Sequence, residues 1–208
     1  MSTELLGALP GRPSLSPLAL NLSVSAWLMA LCNATFWGHL FRIFEGRTLA
    51  ALVLAGAVWA LLLLVISLLA VRRAQKPVLV ALLLIAGVSS FYVDKLGVVV
   101  DREMIQNAMT TTFAESKHLI TPAFLRHVAP YGLFPAALGI LARLQQASVW
   151  RGLGGWVLIT VGLAGTVVGL LVRDMPGYST VLRADKELLG AVQPLAPLSG
   201  ALRYAKMM

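Results

Sequence analysis

The chain has 208 residues, of which 58% are hydrophobic and only 12% are charged. A soluble fold cannot bury so much apolar surface, because ordinary soluble domains contain roughly 45 to 50% apolar residues. The formal net charge is +8, but no basic run carries the interleaved aromatic residues that are typical of nucleic-acid binding. The composition therefore indicates an integral membrane protein whose positive charge faces anionic lipid and sets its topology.

Apolar runs predict an all-α, polytopic membrane protein with five transmembrane helices. The five runs extend from Leu18 to Trp37, Thr48 to Val71, Pro77 to Val93, Val128 to Ala142 and Gly152 to Val172. The fourth is the weakest, because it is short and contains Pro130 and Pro135. It reaches spanning length only if Arg126 and His127 lie at the membrane interface, where a long cationic side chain can reach water.

Basic residues in the short loops set the expected orientation. The loop between the second and third spans contains Arg72, Arg73 and Lys76, and the loop between the fourth and fifth contains Arg143 and Arg151, without an acidic residue in either. Positive loops are typically cytoplasmic. We therefore expect the N-terminus inside and the C-terminus outside, which for a bacterial inner membrane is the periplasm.

This orientation divides the chain into three parts. Residues 1–17 form a cytoplasmic tail, residues 18–173 form the five-helix transmembrane domain, and residues 174–208 form a periplasmic linker. Three prolines interrupt the linker, so we expect it to run as short helices near the outer surface.

The spans offer little chemistry of their own. No acidic or basic residue lies in the middle of a predicted span, which counts against an ion-coupled transporter without excluding one for a neutral solute. The single cysteine, Cys32, lies in an apolar run, and His39, His118 and His127 are dispersed along the chain. No cluster has metal-ligand spacing, so we predict neither a catalytic residue nor a metal site in this chain.

The external segment, about residues 95–121, carries the clearest signal. Asp101 is placed to cap a helix whose first turn contains Glu103, which the helix dipole favours. Within this helix three polar residues recur every four positions and form one stripe: Asn107, Thr111 and Glu115. Three apolar residues recur at the same interval on the opposite side: Ile105, Met109 and Phe113.

The stripe has two interpretations. The helix lies at the membrane interface with its polar face merely hydrated, or the stripe recognises a lipid headgroup. In the second case Asn107 and Thr111 donate to phosphate and Glu115 pairs with an ammonium group. Lys95 and Lys117 are equally open, either as attractors of lipid phosphate or as interface anchors.

Two segments carry a resemblance to a known family. The first, in the external region, reads GVVVDREMIQNAMTTTFAES, and the second, after the fifth span, reads YSTVLRADKELLGAVQPLAPLSGALRYAK. Both resemble the lipid A phosphoethanolamine transferases, which include the mobile colistin-resistance proteins. The second segment has the residues that the family pattern expects at five positions: Arg183, Lys186, Leu188, Pro194 and Tyr204. It departs from the pattern at Gln193, where asparagine is commoner.

The resemblance implies a specific reaction. In this family a five-helix membrane domain precedes a periplasmic, phosphatase-like domain in which zinc and a threonine nucleophile transfer phosphoethanolamine from phosphatidylethanolamine to lipid A. Modified lipid A attracts cationic polymyxins less strongly. The membrane domain's part of the donor site maps by the motif onto Asn107, Thr111 and Glu115.

The resemblance also implies what the chain does not do alone. It ends at Met208, about where the catalytic domain would begin, so we expect it to be inactive alone and to need such a domain in cis or in trans. Zinc is expected in that domain and no cofactor in this chain. The alternative is a non-enzymatic five-helix scaffold or transporter subunit, which would have no need of the polar stripe.

Overall fold

A computed structural model of the protein describes residues 14–69, 74–111, 119–145, 149–172, 178–179 and 187–207. These residues are mainly helical, with one parallel pairing of two-residue strands, β1 (Ser14–Leu15) and β2 (Arg143–Leu144). The predicted all-α membrane fold, with an external helix and a helical tail, is confirmed. Most of the predicted N-terminal tail, residues 1–17, lies outside the described residues.

The helices follow in chain order as α1 (Pro17–Leu31), α2 (Ala34–Ile43), α3 (Thr48–Leu69), α4 (Gln75–Leu96), α5 (Arg102–Thr110), α6 (Pro122–Val128), a π-helix (Ala129–Leu133), α7 (Phe134–Leu141), α8 (Val149–Val172), α9 (Glu187–Gly190) and α10 (Leu195–Ala205). Four segments are long and apolar enough to cross a membrane: α3, α4, the continuous stretch Pro122–Leu141, and Gly154–Val172 within α8. The pair α1 and α2 makes a fifth if the two helices form one span.

The first span differs from the single run expected from Leu18 to Trp37. It bends by 64° between α1 and α2, at Cys32 and Asn33. Hydropathy alone did not predict this bend, because both halves are apolar and the groups that hold the bend come from distant parts of the chain. The buried Asn33 side chain donates to the Leu28 carbonyl at 2.8 Å. The bend is therefore hydrogen-bonded to the last turn of α1.

The fourth span begins at Pro122, earlier than the uncharged run from Val128 predicted, and it accommodates both internal prolines through the π-helix. Because Pro135 has no N–H, the Tyr131 carbonyl loses its usual helical donor. Two other side chains approach this carbonyl instead. Trp27 of α1 does so through Nε1 at 3.3 Å, and Cys32, at the bend, through Sγ at 3.8 Å. A backbone group freed by proline in the membrane thus finds its partner on the neighbouring span.

The third and fourth spans meet at their backbones. A Cβ placed on Gly87 of α4 would lie 2.8 Å from Gly132 Cα and 2.9 Å from Gly132 N, in the π-helix. Small residues at such a crossing let membrane helices approach closely. Close packing matters there because lipid offers no hydrophobic force to drive the helices together.

Polar contacts join the spans at the opposite end from α5. Gln75, at the start of α4, donates to Pro17 O at 2.7 Å and to Asn21 Oδ1 at 2.9 Å. The same end carries the β1–β2 pairing, in which Ser14 aligns with Arg143. These bonds fix the start of α1 against the third and fourth spans.

The tail is part of the core. Leu188, Ala191 and Val192 are buried in one cluster with residues of the bent first span and α3, including Phe36 and Leu54. Residues 187–207 are therefore packed onto the membrane domain, at the end of the bundle that carries α5. This end is called the α5 end below.

Candidate functional site

The external helix α5 starts as the sequence predicted. Asp101 is its N-cap, and its carboxylate accepts a hydrogen bond from Met104 N at 2.9 Å. Glu103 lies in the first turn, where its charge is favourable beside the unpaired N–H groups and the positive end of the helix dipole. Arg102 lies 3.7 Å from Glu103, an exposed pair that contributes little to stability.

The helix ends at Thr110, and Thr111 closes it. The Asn107 carbonyl accepts from the Thr111 N–H at 2.9 Å and from the Thr111 hydroxyl at 2.6 Å. Thr111 has an extended ψ of 131°, so regular helix does not continue from it. The hydroxyl hydrogen of Thr111 is therefore used in the bond to the Asn107 carbonyl. The lone pairs of the hydroxyl oxygen remain able to accept hydrogen bonds.

The structure brings two of the three predicted site residues together. Asn107 and Thr111 lie one turn apart and are joined by the bonds above, whereas Glu115 lies outside the described residues. The Asn107 side chain is exposed. No protein group in the described part of the chain forms a hydrogen bond with its side-chain amide. An exposed amide with two free N–H donors is suited to an anionic oxygen.

The predicted apolar side of α5 is only partly used. Ile105 and Met104 pack against the buried cluster that contains the tail. Met109, in contrast, has 71% of its surface exposed, and Phe113 lies outside the described residues. α5 thus rests on the protein through its first half, and the half that carries Asn107 projects away from this contact.

Helix α10 packs against the start of α5, a contact that the sequence did not predict. A Cβ on Gly200 would lie 3.0 Å from the carbonyl carbon and oxygen of Asp101, so the two backbones are in close contact. Arg102 Nη1 also lies 3.2 Å from Met207 Sδ, beyond the end of α10. The linker thereby fixes the start of the helix that carries the polar stripe.

A second unpredicted contact anchors the tail to the bend of the first span. Asn33 Oδ1 accepts from Gln193 N at 2.6 Å, and Asn33 Nδ2 donates to Gln193 O at 3.0 Å. Asn33 and Gln193 have 1% and 0% of their surface exposed. An asparagine inside the first apolar run was the only signal in the sequence, since its partner is 160 residues away.

The described residues include no group of three or more histidine, cysteine, aspartate or glutamate side chains that could hold a metal ion. The zinc expected from the resemblance is assigned to a catalytic domain and not to these residues, so its presence there stays a prediction.

Comparison with known proteins places this arrangement in a family. A family model described as phosphoethanolamine transferase EptA/EptB matches residues 58–208. The chain is 30% identical over 199 residues to phosphatidylethanolamine transferase Mcr-1 of Escherichia coli, covering 94% of this chain and 37% of that protein. It is 25% identical over 193 residues to phosphoethanolamine transferase EptA of Escherichia coli strain K12, covering 88% of this chain and 34% of that one.

A solved structure shares the fold. The integral membrane protein lipooligosaccharide phosphoethanolamine transferase A (EptA) from Neisseria meningitidis superimposes with a TM-score of 0.87 at 18% identity, over 94% of this chain and 37% of that one. The chain thus spans little more than a third of the length of these relatives. Because the family model covers well over half of the sequence, the chain belongs to the phosphoethanolamine transferase EptA/EptB family and matches the N-terminal membrane domain of its members.

Proposed function

We propose that this chain is the membrane domain of an enzyme that moves phosphoethanolamine from phosphatidylethanolamine to lipid A, and that it anchors the enzyme and binds the donor headgroup. The observation that carries the proposal is the pair at the end of α5: exposed Asn107, whose side-chain amide no described group bonds, and half-buried Thr111, whose hydroxyl donates to the Asn107 carbonyl and keeps its oxygen lone pairs as acceptors. A scaffold or transporter subunit would not require such a pair on a helix that the tail fixes to the bundle.

The pair supplies donors and acceptors for a zwitterionic headgroup. The Asn107 amide donates to a phosphate oxygen, because its N–H groups are exposed and unbonded. Thr111 acts as an acceptor for the ammonium group, since its own hydrogen is engaged with the Asn107 carbonyl. Glu115 completes the site as the negative partner of the ammonium. This assignment gives Thr111 the opposite role to the phosphate donor expected from its sequence position.

The transfer itself belongs to a phosphatase-like domain, acting in cis or in trans. In the proposed reaction a threonine of that domain attacks the phosphorus of phosphatidylethanolamine, forms a phosphoethanolamine ester and releases diacylglycerol. A lipid A phosphate then attacks the same phosphorus and frees the threonine. Zinc in that domain would stabilise the charge on the phosphoryl oxygens. The membrane domain presents the donor with its headgroup at the α5 end.

The tail supports this division of labour. Because Asn33 fixes Gln193 and Gly200 packs α10 against the backbone of Asp101, the segment that leads toward the catalytic domain is held beside the proposed donor site. We propose that the α5 end faces the periplasm and that the loops containing Lys76 and Arg143 face the cytoplasm of a bacterial inner membrane.

The experiment is phosphoethanolamine transfer to lipid A, measured by mass spectrometry, in cells that express this chain fused to a catalytic domain of the family. We expect Asn107→Ala and Glu115→Ala to reduce transfer at equal membrane levels. Gln106→Ala is the matched control, because Gln106 is an exposed amide on the same helix outside the stripe. Normal transfer by both stripe variants would show that the stripe is only a hydrated helix face without a role in binding the donor. An inactive parent fusion would contradict the enzyme assignment.

A further inference from the structure

A separate polar cleft lies at the α5 end of the bundle, between the bend of the first span, the end of α4 and the start of the fourth span. Its volume is about 330 Å³, and its polar lining comes from Thr35, Asp94, Lys95, His127 and Tyr131. Neither Asn107 nor Thr111 lines it. The cleft therefore presents a carboxylate, an ammonium and an imidazole that the proposed donor site does not use.

The carboxylate of the cleft is fixed in place. Asp94 Oδ1 accepts from Thr35 N at 3.1 Å and from Thr35 Oγ1 at 2.6 Å, in the first turn of α2. It replaces the usual N-cap, because the Asn33 side chain bonds to Leu28 and Gln193. Both bonds use Oδ1, and among the described residues no group bonds Oδ2. One oxygen of a half-buried, positioned carboxylate is thus left for a ligand.

The cation of the cleft is the next residue. Lys95 is exposed, lies in the last turn of α4 and, within the described part of the chain, forms no ion pair, not even with Asp94. A fixed anion and an unpaired cation on one wall match a ligand that carries a phosphate and an ammonium group a few bonds apart.

The remaining walls indicate that the ligand is a lipid. His127 stacks on Tyr131 with ring centroids 4.4 Å apart, and its Nε2 lies 2.9 Å from Ser90 Oγ, so two contacts orient the imidazole in this wall. Leu31 also lines the cleft and has 41% of its surface exposed, on the apolar face of a membrane-spanning pair. A headgroup in the cleft would place its acyl chains along that face.

We propose that this cleft is a second phospholipid site, specific for a headgroup with a phosphate and a primary ammonium. Lys95 pairs with the phosphate, and Asp94 Oδ2 accepts from the ammonium. The site is distinct from the Asn107–Thr111 pair and does not depend on the reaction proposed for the enzyme. It holds a phosphatidylethanolamine-like lipid where the first span bends.

The test is native mass spectrometry of the purified chain with dihexanoyl phosphatidylethanolamine, phosphatidylcholine or phosphatidylglycerol, and with free phosphoethanolamine. Phosphatidylethanolamine should bind most tightly, since choline has no N–H for Asp94 and glycerol has no cation. Lys95→Gln and Asp94→Asn should each weaken it about tenfold, as expected for one charge-assisted hydrogen bond. Asp94→Asn keeps an oxygen for the Thr35 donors, and Lys206→Gln, outside the cleft, should bind as the parent does.

Three results would overturn the proposal. The first is unchanged binding by Lys95→Gln, an exposed position where misfolding is not expected. The second is loss of phosphatidylethanolamine in Asn107→Ala but not in Lys95→Gln, which would place the lipid on the stripe. The third is equal affinity for phosphatidylcholine or for free phosphoethanolamine, which would remove the role of the ammonium N–H or of the acyl chains.

Discussion

Two asparagines at the α5 end have the same side chain and opposite surroundings. Asn33 is buried, and both ends of its amide bond to backbone groups of Leu28 and Gln193. Asn107 is exposed, and no group in the described ranges bonds its side-chain amide, while its backbone carbonyl accepts from Thr110 and Thr111. An amide saturated by the protein fixes the structure, whereas an unsaturated amide is available to a ligand. Burial and bonding, and not residue type, separate the two roles.

The largest effect is expected at the buried asparagine. Asn33→Ala leaves both the N–H and the carbonyl of Gln193 without their Asn33 partner in a buried site, which should lower the free energy of unfolding by about 3 kcal/mol. Unfolding by SDS in mixed micelles measures this change. Asn107→Ala, on the exposed helix, should change the same quantity by less than about 0.5 kcal/mol. Equal losses for the two variants would contradict the contrast.

The next effect concerns how α5 is held. Gly200→Ala places a Cβ 3.0 Å from the backbone of Asp101, so α10 must shift, at an expected cost of about 1 to 2 kcal/mol. In the transfer assay, activity should fall because the start of α5 moves with it. Gly162→Ala in α8 is the control, since its Cβ meets nothing within 4 Å. Full transfer by Gly200→Ala would show that α10 does not position the stripe.

Much of this fold follows from the sequence, and its exceptions share one cause. Hydropathy predicts the five apolar spans, and residue types predict the cap at Asp101, because both depend on neighbours in the chain. The bend at Asn33 depends on Gln193, and the Tyr131 carbonyl depends on Trp27. These are long-range contacts for which one sequence holds no periodic signal.

The candidate site shows the same limit. Spacing correctly joins Asn107 and Thr111 on one helical turn. It does not reveal that the helix ends at Thr110, where Thr111 takes an extended ψ of 131°, because the bond from the Thr111 hydroxyl to the Asn107 carbonyl is of a kind that also occurs inside helices. Glu115 lies beyond this end, outside the described residues, so its place beside the pair stays a prediction.

A smaller effect is expected at the end of α5. Thr111→Val keeps the branched shape but removes the hydroxyl that bonds Asn107 O at 2.6 Å, so unfolding should become easier by about 0.5 to 1 kcal/mol. Thr111→Ser keeps the hydroxyl and should restore most of both stability and transfer. If Thr111 serves only to close the helix, the valine variant will lose stability and keep its transfer activity, contrary to a role for its oxygen in binding the ammonium.

The smallest effect on stability and the sharpest effect on function are expected at Asn107. Asn107→Asp is nearly isosteric but replaces two N–H donors with a second acceptor oxygen and a negative charge. If the amide donates to a phosphate, aspartate repels the ligand, and transfer should fall below that of Asn107→Ala while the free energy of unfolding stays within about 0.5 kcal/mol of the parent. Transfer rates from lipid A mass spectra, compared at equal membrane levels, decide the order. Aspartate that transfers better than alanine would mean that residue 107 faces the ammonium, and the orientation of the headgroup on the stripe would have to be reversed.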